Sequence, residues 1–276
     1  MENNVNFNDI AVIVPLHKID EDKDKKYMND SYNSVVECRN FYNGNLDLVY
    51  VVAPEVEGYI KAFIEGKDNC RYIVNTTGET DFCSQVNFAV DNLDEKYQYF
   101  SILEYDDVYR PKWFKMASDY YRTNEQVSIF LPVNIVHSSD NERWQYGNEL
   151  PLAGSFSNNL GFIDSECLEN YFNVNLTGGI FNREDFVTAG KFKPSVKVAF
   201  NYELLLRMTK KEYKVMVVPK EGYVHMIGRE GCLNMIYSQT IPDKDVTKWF
   251  GLAKRESKFD EDRNKTISTK ENEDLK

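Results

Sequence analysis

Apolar runs in this sequence stop well short of the ~18 residues that a membrane-spanning helix needs, so no span is expected. The N-terminus, MENNVNFND, has neither a basic region nor a long apolar stretch, and no signal peptide is read from it. No CxxC pair occurs among the five cysteines, Cys38, Cys70, Cys83, Cys167 and Cys232. An odd, scattered set fits reduced thiols in a cytoplasm better than a disulfide framework or a zinc knuckle. The N-x-S/T triplets at Asn75, Asn175 and Asn264 therefore carry no weight. Basic blocks are absent and the net charge is -11, so broad attraction to nucleic acid or an anionic membrane is not expected. Histidine is scarce, with three in the chain, and no internal repeat is visible.

What is present is enough to fold. The 276 residues are 42% apolar and 14% aromatic, sufficient for a substantial core. Short apolar runs alternate with longer polar stretches in the first half. Ile10–Val14, Leu46–Val52, Tyr72–Val74 and Tyr99–Leu103 read as buried parallel strands, two of them stopped by Pro15 and Pro54. Met28–Phe41, Val56–Glu65 and Ser84–Leu93 read as the helices between them. This alternation predicts an α/β domain with a mostly parallel central sheet flanked by helices. Further on, Pro111–Tyr121 reads as a helix with proline in its first turn. Val127–Val136 reads as a strand interrupted by Pro132, and residues 138–160 as a long loop or lid. Asn175–Asn182 reads as a glycine-containing strand, Tyr202–Lys211 as a helix and Tyr213–Pro219 as a strand. From Lys254 apolar residues almost vanish. The expected organisation is one domain over residues 1–253 and a flexible charged tail over 254–276.

The stretch SILEYDDVYRP gathers Glu104, Asp106 and Asp107 directly after the fourth apolar run. In open α/β sheets ligands bind beyond the carboxyl ends of the strands, which is where these charges fall. In an extended chain Glu104 and Asp106 would point the same way, and oxygen ligands suit Mg²⁺ or Mn²⁺. Two readings stay open at this point. One is a metal site; the other is an acidic turn ahead of a helix, with Asp107 as a capping residue.

The order of the motifs resembles the family 2 glycosyltransferases, which have the GT-A fold. The pieces are IVPLHK at the end of the first strand, QVNFAV in a helix, and LEYDDVYRP at the acidic cluster. They continue with TGGIFNREDFVTAGKF, FNYELLLRM, YKVMVVP and YVHMIG, over roughly residues 9–230. The resemblance implies a metal-dependent enzyme that moves a hexosyl or pentosyl group from a nucleotide-diphosphate sugar to an acceptor hydroxyl, with Mn²⁺ or Mg²⁺ as cofactor. It implies Glu104 and Asp106 as the acidic pair, the first aspartate of the family pattern being replaced by glutamate, and His225 as a further metal ligand. Pro15, His17, Glu55 and Asn87 are implied on the nucleotide side, with Arg229 as a second cation on the diphosphate. The implied partners are the donor and a carbohydrate or other hydroxyl acceptor, with nucleic acid disfavoured by the acidic balance. The expected location, from the scattered cysteines, is the cytoplasm.

The catalytic base departs from the family pattern. Lining up FNYEL with the family helix puts Asn201 where a carboxylate is expected, and an amide cannot remove a proton. Glu203 survives two residues on, also suited to an i,i+4 pair with Arg207, and Asp185 is the next carboxylate in line. Asn201 is alternatively read as the helix N-cap. Three options follow: another carboxylate serves, the reaction retains configuration without this base, or the chain binds donors without turning them over. Outside this reading, a nucleotidyltransferase is disfavoured by the absence of glycine in PLHKIDEDKDKK. A glycosidase would need paired carboxylates without a metal. The sugar, the nucleotide and the acceptor are not legible. Trp144, Tyr146 and Gly178-Gly179 are expected on the acceptor side.

Overall fold

The computed structural model describes residues 7–138, 144–154, 159–171, 173–227 and 244–255. The first half alternates as expected: β1 (Asp9–Leu16), α1 (Glu21–Arg39), β2 (Asn45–Val52), α2 (Glu57–Ile64), β3 (Cys70–Val74), α3 (Phe82–Asp91) and β4 (Tyr99–Ile102). There follow β5 (Val108–Tyr109), α4 (Trp113–Tyr121), β6 (Val127–Ser138), β7 (Trp144–Gly147), β8 (Phe162–Ile163) and α5 (Ser165–Asn170). The chain continues through β9 (Ile180–Asn182), α6 (Arg183–Thr188), α7 (Phe200–Lys210) and β10 (Lys214–Ile227), and a last helix, α8, spans 244–255.

Among the described residues the strands form one sheet in the order β3-β2-β1-β4-β9-β6-β10-β5, with β7 added to β6 and β8 to β10. β1 pairs in parallel with β2 and β4, β2 with β3, and β6 with β10; β9 is antiparallel to both of its neighbours. The continuous apolar runs of β1 and β2 follow from this, because their central residues are covered on both faces. One face packs on α1, α2 and α4 through Met28, Val35, Ile60 and Trp113. The other packs on α3, α5, α6, α7 and α8 through Val86, Leu168, Phe186, Leu204 and Ala253.

Several expected boundaries shift for local reasons. α1 starts at Glu21 rather than Met28, because Asp20 caps it, accepting from the Lys23 amide, and acidic residues suit a first turn. Pro111 lies outside α4, which begins after Lys112. Pro132 does not interrupt β6. It pairs with Val218 of β10 just before β10 slips register, and on its other side it sits between the segments that pair with β9 and β7, where no strand asks for its missing N–H. The expected loop over 138–160 contains a strand, β7, and a 3-10 turn at Leu150–Leu152. Of Asn175–Asn182 only the last three residues are strand. The Asn175 side chain accepts from the Thr177 amide and hydroxyl, and Gly178 has φ +78, which holds this piece as a turn. The strand expected over Tyr213–Pro219 runs on to Ile227. α7 begins at Phe200 with Ala199 at its cap position, so Asn201 lies in its first turn and is not the N-cap. The helix through 255 crosses the expected start of the tail; residues 256–276 lie outside the described ones.

Candidate metal and donor site

The site begins where β4 ends. Leu103 donates to the Ile13 carbonyl, continuing the β1 pairing by one residue. The chain then turns: the Asp107 amide donates to the Glu104 carbonyl at 3.0 Å. β5 follows at once and pairs antiparallel with β10, Val108 opposite Val224 and Tyr109 opposite Tyr223. The next position in that register sets Asp107 against His225. The turn folds Asp107 back over Glu104, so the extended-chain expectation that Glu104 and Asp106 share one side does not apply.

The resulting group is Glu104, Asp107 and His225, whose ligand-type atoms lie within 4.8 Å of one another. His225 Nδ1 is 2.8 Å from Asp107 Oδ2, and the Met226 amide donates to Asp107 Oδ1, also at 2.8 Å. Asp107 is fully buried and so is not a capping residue of α4, whose cap position is Lys112. Burial opposes a charged imidazole at His225, but the adjacent Asp107, with Glu104 and Asp106 beyond it, outweighs that and lifts the pKa to about 10. Asp106 is nearly buried and adds to this field, yet it stands outside the three-residue group that the sequence pattern assigned to it.

The floor of the site is closely packed. Tyr223 is fully buried, and its hydroxyl accepts from the Glu104 amide at 3.1 Å. Its ring lies over Gly178, where a Cβ would come within 2.5 Å of it. Trp113 donates its indole N–H to the Gly178 carbonyl, and Ser101 donates to the Gly179 carbonyl. Gly178 is therefore buried for close packing under Tyr223, and Gly179 against Leu131 and the Leu176 carbonyl, rather than open to a sugar, correcting the expectation from sequence.

Among the residues expected on the nucleotide side, Pro15 is buried near the end of β1. His17, half-buried just beyond β1, has its pKa lowered by burial and by Lys18, which favours the neutral ring. Glu55 is exposed in the 3-10 turn Pro54–Val56 after β2. All three lie at the carboxyl edge of the parallel strands. Asn87 is differently employed: both ends of its amide bind the Phe192 backbone, at 2.9 and 3.1 Å, tying α3 to the segment before α7. Gln85, passed over in the sequence, donates to the Leu16 carbonyl and keeps a buried Oε1 without a partner beside that edge. The glutamine two residues before the asparagine was its only signal. Arg229 lies outside the described residues.

The candidates for a base separate. Glu203 is buried, and its carboxylate is held by Arg207 at 2.9 and 2.8 Å and by Lys193 at 3.0 Å. Arg207 also donates to the Ala189 and Lys191 carbonyls, so this group ties α6, the following loop and α7 together. The i,i+4 pair read from the sequence is thus present. Asp185 sits in the first turn of α6, with its amide capped by Asn182. Asn182 is paired with Tyr99 at the amino end of β4, which sets Asp185 on the edge of the sheet opposite the acidic turn. Asn201 is half-buried on α7.

Two carboxylates and one imidazole suit a divalent ion. The carboxylates favour a hard cation and the nitrogen is a poor ligand for Mg²⁺, so Mn²⁺ fits this mixture best. In a loaded site Glu104, Asp107 and His225 would hold it, and His225 would have to give up its proton.

No family model matches this sequence, and no curated protein matches it. Solved structures match in fold. The S. aureus TarS fragment 1-349 in complex with UDP-GlcNAc superposes with a TM-score of 0.63 at 15% identity, over 89% of this chain and 65% of that one. The mannosyltransferase PcManGT from Pyrobaculum calidifontis, in complex with GDP-Man and Mn²⁺, gives a TM-score of 0.59 at 14% identity, over 80% and 58% of the two chains. The expected fold is present: the chain has the GT-A architecture of these glycosyltransferases. It spans about 60% of the length of the TarS fragment in a second structure, 1-349 alone.

Proposed function

We propose that this protein is a metal-dependent glycosyltransferase that moves a sugar from a nucleotide-diphosphate donor to an acceptor hydroxyl. The observation that carries the proposal is the Glu104–Asp107–His225 group at the carboxyl end of β4, in a fold whose solved relatives bind UDP-GlcNAc or GDP-Man with Mn²⁺. A divalent ion there would neutralise charge on the departing diphosphate. The chain's own residues have separate tasks. Asp107 orients the His225 ring and pins β10 beside the acidic turn. Tyr223 fixes the Glu104 backbone. His17 and Glu55 lie at the strand edge where a base and ribose would sit, and Gln85 is tied to the same edge through the Leu16 carbonyl. Burying Asp107 and half-burying Glu104 against a packed floor preorganises the site, so little reorganisation accompanies binding.

A second reading is favoured by the state of two candidates for the base. Asn201 has no basic group and Glu203 is committed to Arg207 and Lys193. A module that binds the donor and does not turn it over is consistent with both.

The test is thermal stabilisation by UDP, GDP, CDP, TDP and ADP, each with and without Mn²⁺, followed by product analysis with the nucleotide sugar of whichever nucleotide binds. A ligand at a hundredfold excess over its Kd adds about 2.7 kcal/mol, which is easily read. Metal-dependent stabilisation with sugar release supports the transferase; stabilisation without release or transfer supports the binding module. No response to any nucleotide removes both.

A further inference from the structure

Asn134 lies in β6 and is fully buried, yet neither its Nδ2 nor its Oδ1 has a hydrogen-bond partner among the described residues. Its register partners are Tyr223 of β10 and Gly147 of β7. Strand alternation therefore sets the amide on the sheet face of Tyr223 and, two positions on, of Val136 and His225. The exposed rings of Trp144 and Tyr146 leave β7 by the other face, opposite His137 and Ile135. Gly147 leaves room beside the amide. A Cβ built there would meet nothing nearer than Asn134 Cβ and Val136 Cγ2, both at 3.7 Å. The φ of Gly147 is not in the left-handed region, so its backbone does not demand glycine. Gly147 is also half-exposed, which puts solvent within reach of this room. The next residue, Asn148, is already committed. It donates to the Pro132 and Asn175 carbonyls at 3.2 and 2.8 Å and accepts from the Asn175 amide at 2.9 Å.

We infer that the Asn134 amide is a binding site for one internal water molecule, held between β6 and β7 on the face that carries His225. A buried amide left unmet keeps its full desolvation penalty, and folded interiors satisfy such groups with protein or with water. The chemistry selects the occupant. The amide presents N–H donors and a carbonyl acceptor side by side. A cation would leave Nδ2 unmet, and an anion would leave Oδ1 unmet. A neutral hydroxyl-type oxygen donates and accepts, so it meets both. Size then selects water among such groups. The room over Gly147 is about that of one carbon, and a polar site of this size holds water where an apolar one stays dry. With Asn148 fixing the Pro132 carbonyl two residues earlier, the water ties β7 to β6 at the level of Tyr223, whose hydroxyl holds the Glu104 amide. None of Glu104, Asp107 and His225 takes part, so the water site stands independently of metal binding and of the transferase reading.

The experiment uses the full chain in metal-free buffer, so that no ion-held water is counted. Magnetic relaxation dispersion of water ¹⁷O and ²H counts the long-lived internal waters in the unmodified protein, Asn134→Leu, Gly147→Ala and the double variant. Melting temperatures are taken on the same samples. The count is expected to fall by one in each single variant and no further in the double. Gly147→Ala should lower the melting temperature by at least about 3 °C, because the added methyl displaces the water and leaves the amide unmet. In the Asn134→Leu background the same substitution should not lower it, because no polar group remains to be stranded. Equal counts in the unmodified protein and Asn134→Leu overturn the site. So does a melting temperature raised by Gly147→Ala, the result for a dry contact in which a methyl only fills space. If Asn134→Leu does not fold, Gly147→Ala carries both readings by itself: an unchanged count there overturns the site equally.

Discussion

The Asp107 carboxylate accepts from His225 Nδ1 with one oxygen and from the Met226 amide with the other, both at 2.8 Å. One buried side chain therefore aims a candidate ligand and locks the strand that carries it. Asp107→Ala should abolish the Mn²⁺-dependent increment in thermal stability, whereas Asp106→Ala should diminish it only in part. The metal-free Asp107 variant should also lose about 1–3 kcal/mol, since His225 and the Met226 N–H are left without their acceptor. Melting curves of both variants with and without Mn²⁺ check this; an equal loss of the increment in both would remove Asp107 from the ligand set.

The His225 pKa of about 10 fixes the sign of a pH dependence. Between the unfolded value near 6.5 and about 10 the folded protein holds a proton that the unfolded chain has released. The stabilisation from the His225–Asp107 pair is thus fully present below about pH 6.5 and fades as pH rises through about 10. Metal binding needs the neutral ring, so Mn²⁺ affinity should move the opposite way and rise with pH. Metal-free melting temperatures between pH 6 and 10 should fall more steeply in the unmodified protein than in His225→Gln. Parallel slopes would sink this assignment.

Glu203 offers a test of role. As an anchor of Arg207, Glu203→Ala leaves a largely buried guanidinium uncompensated and should cost about 2–4 kcal/mol, somewhat less than a fully buried pair. As a base, Glu203→Gln would lower kcat with stability intact. We expect the first pattern: a melting temperature lowered by Glu203→Ala and by Arg207→Ala to similar extents, with the double variant scarcely worse than either.

Gly178→Ala should destabilise by about 1–3 kcal/mol, because φ is +78 and the added carbon meets the Tyr223 ring at 2.5 Å. Tyr223 holds the Glu104 amide, so Mn²⁺ affinity should fall with stability. Gly66→Ala shares a positive φ, but its Cβ meets nothing, so it should cost less and leave metal binding alone. Urea melts and Mn²⁺ titrations of the two variants separate the effects.

The sequence made the frame legible where burial alone decides it. β1, β2 and β4 are apolar runs because both faces are covered, and α3 and α7 show their periodicity plainly. β5, β7 and β9 are two to four residues long and exist through their partners, which a local reading cannot supply. The same divide runs through the site. Glu104 and His225 were visible as residue types in a recognisable order. Asp107 was visible in the acidic stretch but read as a helix cap, because its place beside His225 depends on a turn that folds 107 over 104 and on the β5–β10 register. Asn87 kept the expected position, yet its amide is spent on Phe192, a contact 105 residues away.

The Asp107–His225 contact closes a loop of 118 residues. Neither half of the site has its partner until β10 is laid beside β5, which is among the last strands the chain can place. Slow, non-local pairing of this kind is entropically costly and depends on the whole sheet. A bound ion would then act as a clasp on the final stage of assembly, protecting β10 from local opening in proportion to its concentration. Hydrogen exchange at Met226, whose amide is tied to Asp107, would report how often that clasp is undone.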